Sequence, residues 1–541
     1  MDTDSLTTSP MSIARPLVLL CALIALACGM VISTYSVFGH MWDEPEHLAA
    51  GMNLLDRGEY PYDLQHPPLA RLAMAIGPYL AGARSQGNPG PSGEEEGRDI
   101  LYGEHYERYL TLARAGMLPF LVALLIATFL WTRRLFDSTT ALLATALVVT
   151  TPMIIGHAGV AALDLPMVGC CMVTFYLLQR WFDSPSIRNA VAFGIAAGIA
   201  AATKLSAIPF IGVVVLIGLL PWLYETRSSS ASTWQRTIGH ALVAAVAACV
   251  GLIPWYGLGI APLSPQIALP VPVGIPGFID SLQALLLHNN DGHLSYFMGD
   301  LQRNGWWNFY LVGLSVKTPL PLLIGALAGS VWLIRVAYRT GRWRQASPVL
   351  AAASVLVFCV LYSHINIGIR HVLLLFPLFA IIAAALAMWL WRKALPNSRR
   401  AAVCTALLAL GGWQIFEIAH VQPDYIAYFN ELAGDHPEKI LIDSDLDWGQ
   451  DLKRLKQALL DRHIDRVGIV YRGSADFDRE NMPATFTRLW PNQRATGWVA
   501  VFLLAKATDE SGGYRWLDQF RPIARIGKSV DLYFIMPPAS P

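Results

Sequence analysis

Charge is what this sequence has least of. Asp, Glu, Lys and Arg make up 15% of its 541 residues, while 54% are hydrophobic. An ordinary soluble domain carries about 25% charge, so a wholly soluble chain is excluded and a multi-pass membrane protein is implied. The net charge of +1 comes without any basic array, which leaves no nucleic-acid partner to expect. Cysteine is nearly absent from polar sequence: Cys21, Cys28, Cys170, Cys171, Cys249, Cys359 and Cys404 all fall in apolar runs. No disulfide framework and no thiolate metal site outside the membrane follow from that placement. There is no convincing Gly-rich phosphate loop and no clear internal repeat of the kind transporters carry. No cofactor is called for. Outer-face histidines (His47, His66, His157, His288, His293) stand near Glu44 and Glu46, so a divalent metal stays open, but no His-x-x-x-His spacing fixes one.

What the chain does have is long apolar runs. About eleven reach the roughly 17–25 residues a bilayer asks for: 14–38, 110–132, 140–156, 166–182, 190–203, 206–224, 240–259, 309–334, 348–362, 372–391 and 401–419. The first is too long for a signal-peptide core. Every second short loop is basic: Arg133 and Arg134; Arg180 and Arg188; Arg227 and Arg236; Arg335, Arg339, Arg342 and Arg344; Arg392, Lys393, Arg399 and Arg400. The positive-inside bias then puts the N-terminus in the cytoplasm and the C-terminus outside. The fold class is a polytopic α-helical membrane protein, residues 1–419, followed by a small soluble α/β domain, residues 420–541. In that tail, strands are predicted at 439–442, 466–471, 499–504 and 530–535 and a helix at 451–462. Two outer loops are large. Residues 39–109 hold interfacial helix patterns near 46–55 and 67–80 and a flexible, breaker-rich tip at 86–96. Residues 260–308 begin with a proline-dense, non-helical stretch to 276 and carry interfacial Trp306, Trp307 and Tyr310.

Candidate chemistry gathers on the outer face. Trp42-Asp43-Glu44 ends the first span, and acidic groups at a membrane mouth are read as functional by default. Asp164 sits at the same depth between the third and fourth spans, where it also suits a helix cap before Pro166. Lys317 lies about two turns inside the eighth span, free to snorkel or to face a cavity. Lys204 and the pair Arg370-His371 are outer cations against the positive-inside bias, so they ask for an anion: a lipid phosphate, or ordinary headgroups. His66, His157, His293 and Trp306 are candidates for holding substrate. Residues 443–451 imitate the opening of a calcium loop but place Trp448 where Gly is required and Arg454 where Glu is required, so an acidic strand-to-helix turn is expected instead.

Taken together, these packets resemble the GT-C membrane glycosyltransferases, and among them the bacterial glycosyltransferase family 39 proteins, relatives of protein O-mannosyltransferases and of the lipid A aminoarabinose transferase. The likeness rests on Trp42-Asp43-Glu44, His66-Pro67-Pro68-Leu69, the run from His157 to Asp164, Gly305-Trp306-Trp307 with Lys317-Thr318-Pro319, residues 366–371, Tyr428-Phe429-Asn430-Glu431 and residues 445–451. It implies an inverting transfer of a sugar from a polyprenyl-phosphate donor to an acceptor hydroxyl of a glycan, lipid or protein. The tail departs from protein O-mannosyltransferases, which puts a protein acceptor in question. Asp43 is then the general base, Glu44 or Asp164 positions a substrate, and Lys204, Lys317, Arg370 and His371 bind the donor phosphate. The setting is the inner (plasma) membrane, with the site and tail extracytoplasmic or periplasmic. A lipid or sugar transporter and a non-catalytic envelope assembly protein are the rival classes.

Overall fold

The computed structural model describes residues 10–87, 92–102, 105–226, 231–257, 260–264, 267–272, 274–393 and 400–537. Residues 88–91 of the predicted tip, and Arg227 and Arg399 of the basic loops, lie outside the described residues.

Twenty helices in chain order position the site: α1 (Pro10–Ile32), α2 (Glu44–Arg57), α3 (Pro68–Leu80), α4 (Gly93–Leu101), α5 (Tyr106–Ala115), α6 (Leu118–Leu135), α7 (Ser138–Val149), α8 (Pro152–Ala158), α9 (Asp164–Asp183), α10 (Ile187–Thr203), α11 (Ala207–Thr226), α12 (Ala231–Leu252), α13 (Gly274–Asp291), α14 (Phe309–Lys317), α15 (Leu320–Thr340), α16 (Ser347–Tyr362), α17 (Leu375–Lys393), α18 (Arg400–Val421), α19 (Asp443–Leu446) and α20 (Leu452–Asp461). Among the described residues, seven helical segments are long and apolar enough to cross a membrane, and the bent pair α7–α8 makes an eighth. The shorter α10 and the first part of α11 are also apolar. Each of the eleven predicted spans has a helix beneath it. Leu216, Leu242, Val250, Leu361 and Leu408 are each more than 60% exposed, a surface that suits lipid and not water.

Two spans are not the straight rods the hydropathy implies. The third bends by 65° at Thr150–Thr151, because Thr151 is extended ahead of Pro152, as the residue before a proline prefers. The eighth is broken at Thr318–Pro319 for the same reason: Thr318 is extended and α15 restarts after Pro319.

The first outer loop is a packed layer of helices. Leu48, Met52, Met74, Leu101, Leu110 and Met117 share one core. The expected mobile tip is corrected in its second half, where Glu94–Glu96 belong to α4 and Gly97 lets that helix lie against α2. A Cβ on Gly97 would meet the Pro45 carbonyl at 1.9 Å. In the second loop the proline-dense stretch forms an antiparallel hairpin, β1 (Ile260–Ser264) with β2 (Ile267–Pro272), and turns helical at Gly274. A second hairpin pairs β3 (Ser295–Phe297) with β4 (Asp300–Gln302).

The C-terminal sheet comprises β5 (Arg466–Val470), β6 (Thr485–Arg488), β7 (Gly497–Phe502), β8 (Ala524–Ile526) and β9 (Val530–Ile535), in the order β6-β5-β7-β9-β8. The first three are parallel, and β9 runs antiparallel to both β7 and β8. Residues 439–442, expected as a strand, instead follow a 3-10 turn and lead into α19, and the sequence reading passed over β6 and β8. The core of this sheet starts at Leu452. The stretch before it packs downward: Tyr425, Ala433 and Leu441 join the core of the spans, and Ile426 and Trp448 join Met41, Val160 and Ala162.

Candidate active site

Asp43 precedes the first residue of α2, where Pro45 starts the helix. Its carboxylate is about a quarter exposed and accepts from Arg370 Nη1 at 2.6 Å. The same guanidinium lies 3.8 Å from Asp164, and Asp164 accepts from Lys204 Nζ at 2.6 Å. Arg370 sits on the Trp448 ring at 4.5 Å, and the His157 ring meets the same indole edge-on at 6.0 Å. His371 is anchored through Nδ1 to the Ile365 carbonyl at 3.2 Å. Five elements thus converge: the start of α2, the ends of α8 and α10, the start of α9, and the turn 369–372. His157 is fully buried and neither ring nitrogen has a hydrogen-bond partner, a costly state for a polar group.

Glu44 does not join this cluster, and its expected substrate-facing role is corrected. It is 1% exposed and accepts from Arg114 Nε and Nη2, both at 2.8 Å, and from the backbone N–H groups of Met41 and Ala161, both at 2.8 Å. Burial alone would raise its proton affinity, but Arg114 and the Ala161 and Met41 N–H groups together outweigh burial and lower it. Arg114 also donates to the carbonyls of Tyr35, Phe38 and Gly39. This pair is the strut that fixes where Asp43 sits.

Lys317 is also placed apart from the Asp43 cluster. Its ammonium donates to the carbonyls of Ile426 at 2.7 Å and Asp445 at 2.6 Å and rests on the Phe429 ring at 4.1 Å. It pins the post-span segment, with two of its three N–H donors taken by carbonyls. His66 belongs to a neighbouring network in which buried Arg71 binds Asp63, His47 and the Tyr60 hydroxyl. Burial pushes His66 down to about 4, so it is neutral at physiological pH. His293 is likewise pushed by burial to about 4, within charge reach of Arg370 and Asp43. Trp306 packs on Phe297, and its N–H donates to Asn366 at 2.6 Å. Among the described residues no group of three His, Cys, Asp or Glu is placed to hold a metal ion.

Sequence reasoning missed Arg114, Arg71 and Trp448, and it read the acidic turn at 443 only as a cap. Arg114, an outer cation at the head of a span, carries the same signal that singled out Lys204.

Residues 59–261 match the family model described as dolichyl-phosphate-mannose-protein mannosyltransferase. Over those residues the chain is similar to that family. The structure of the Saccharomyces cerevisiae protein O-mannosyltransferase Pmt1–Pmt2 complex bound to its sugar donor shares the fold, with a TM-score of 0.56 at 10% identity over 76% of this chain and 90% of that one. The Archaeoglobus fulgidus oligosaccharyltransferase in complex with Zn and sulfate gives a TM-score of 0.50 at 12% identity, over 90% of this chain and 68% of that one. ArnT from Cupriavidus metallidurans, bound to undecaprenyl phosphate, gives 0.48 at 15% identity, over 95% of this chain and 97% of that one. Comparison with curated proteins finds no match.

Proposed function

We propose that this transferase moves a sugar, with inversion, from a polyprenyl-phosphate carrier to an acceptor hydroxyl of a glycan, lipid or protein at the extracytoplasmic face of the plasma (inner) membrane. The observation that carries the reading is the Asp43–Arg370 pair, a partly exposed carboxylate bound to a cation that also reaches Asp164 and, through it, Lys204. Asp43 takes the acceptor's proton while its oxygen bonds to the anomeric carbon. The bond from that carbon to the phosphate oxygen breaks, and its electron pair leaves with the phosphate. Arg370 and Lys204 flank the place where that negative charge develops, the arrangement in which fixed cations lower a barrier most, and His371, kept neutral by burial, lines the same place. Asp164 is a positioning residue that holds Lys204. Residues 1–419 form the membrane catalytic part and residues 420–541 its outer partner.

The test is release of free polyprenyl phosphate by purified protein given a panel of polyprenyl-phosphate sugars and an envelope extract. Wild type should release it, and Asp43→Asn, at unchanged thermal stability, should be slower by about 10²–10⁴-fold, the usual loss for a general base. Equal rates would remove Asp43 from the chemistry.

A further inference from the structure

Residues 444–451 are all buried, while Asp443, which opens their turn, stays partly accessible. Its φ of +37° is left-handed, a conformation a non-glycine residue keeps only where its surroundings impose it. The imposing contacts come from the segment that carries Arg370. Ser444 Oγ donates to the Ile367 carbonyl at 2.5 Å, Asp445 accepts from the Ile369 N–H at 3.2 Å, and the Trp448 ring faces the Arg370 guanidinium. Gly368, at φ +133°, allows the approach, since a Cβ there would sit 2.2 Å from Ser444 Oγ. Two segments more than seventy residues apart are thereby stitched together, with Asp443 and Arg370 within charge reach.

Among the described residues, the Asp443 carboxylate makes a single hydrogen bond, accepting from the Ser444 N–H at 2.6 Å. Arg370, Asp43 and Asp445 are the charges that face it, and burial pushes it to about 6 against the pull of Arg370. Asp43 is faced by Arg370, by Glu46 on α2, Glu94 on α4, His66, His293 and Asp443.

Resting on the transfer reading above, we propose that Asp443 is a positioning residue of the site: it competes with Asp43 for the Arg370 guanidinium. Arg370 can then turn toward the departing phosphate while Asp43 is released to accept the acceptor's proton. The acidic turn after the last span is on this view part of the catalytic centre.

The experiment compares full-length wild type with Asp443→Asn in detergent, with Asp443→Ala as a second variant. It follows kcat and KM for polyprenyl-phosphate release across about pH 5–9 and binding of undecaprenyl phosphate. Without the competing charge, Arg370 holds Asp43 more firmly and releases it to the acceptor less readily. At unchanged thermal stability, kcat should fall about tenfold with KM unchanged or lower. Undecaprenyl phosphate should bind about threefold tighter, because one carboxylate near Arg370 is gone. A wild-type kcat in both variants, or weaker phosphate binding, would overturn the proposal. If wild type binds undecaprenyl phosphate but releases none from any donor, the transfer reading fails by itself. The binding comparison then decides Asp443 alone, with tighter binding in Asp443→Asn for it and equal or weaker binding against it.

Discussion

Asp43 and Glu44 are adjacent in sequence and opposite in use, and the difference is solvent. One carboxylate is partly exposed and shares its cation. The other is sealed behind α2 with Arg114 and two backbone N–H donors. Removing one partner of a buried ion pair strands the other. Glu44→Gln should therefore cost about 3–5 kcal/mol of stability, measured by thermal unfolding in detergent, and should lower the yield of folded protein before it changes the chemistry. An unchanged unfolding temperature would show that Arg114 finds its compensation elsewhere. At this scale the sequence showed that the Asp43-Glu44 packet and Lys204 matter. It could not show which carboxylate faces inward, because that depends on Arg114 arriving from α5.

Broken spans are the features of the elements that hydropathy hides. An average over about twenty residues does not notice that Thr318 and Pro319 cannot continue a helix. The break nevertheless places Lys317 at a helix end, where its ammonium meets two carbonyls from the segment after the last span. Lys317→Met would leave both carbonyls buried without donors, at about 1–3 kcal/mol each. Its unfolding temperature should fall and protease should cut near residue 439 more readily, while KM for the lipid donor stays at the wild-type value. A raised KM with unchanged stability would instead return Lys317 to phosphate binding. The α7–α8 bend acts in the same way, delivering His157 beside Trp448.

On the scale of the whole molecule, the soluble sheet is clasped to the first outer loop. Tyr102 donates to Glu480 at 2.7 Å, Lys453 meets Glu107 at 2.7 Å, and Arg479 pairs with Asp99. The segment between the last span and the sheet runs under that clasp and brings Trp448 to the Arg370 guanidinium of the proposed site. In the orientation predicted from the alternating basic loops, all of this is extracytoplasmic. A membrane-impermeant maleimide should label Lys528→Cys in intact cells, and Arg339→Cys only after permeabilisation. The reverse pattern would invert the topology.

By itself, the sequence determined what composition and order can encode. Sparse charge and long apolar runs dictate a polytopic membrane protein, because only helices satisfy their own backbone in lipid. Alternating basic loops predict its orientation, and the order of short motifs points to the family it resembles. The strands at 466–470, 497–502 and 530–535 were legible from their β-branched and aromatic runs. Only the tertiary structure decided which cation meets which carboxylate. Asp43 and Arg370 are 327 residues apart, and no local pattern records a pairing made by packing helices from both ends of the chain. The same holds for Glu44 with Arg114 and for Lys317 with the carbonyls it caps. A charged residue's type and depth are written in sequence, but its partner is chosen by the fold that surrounds it.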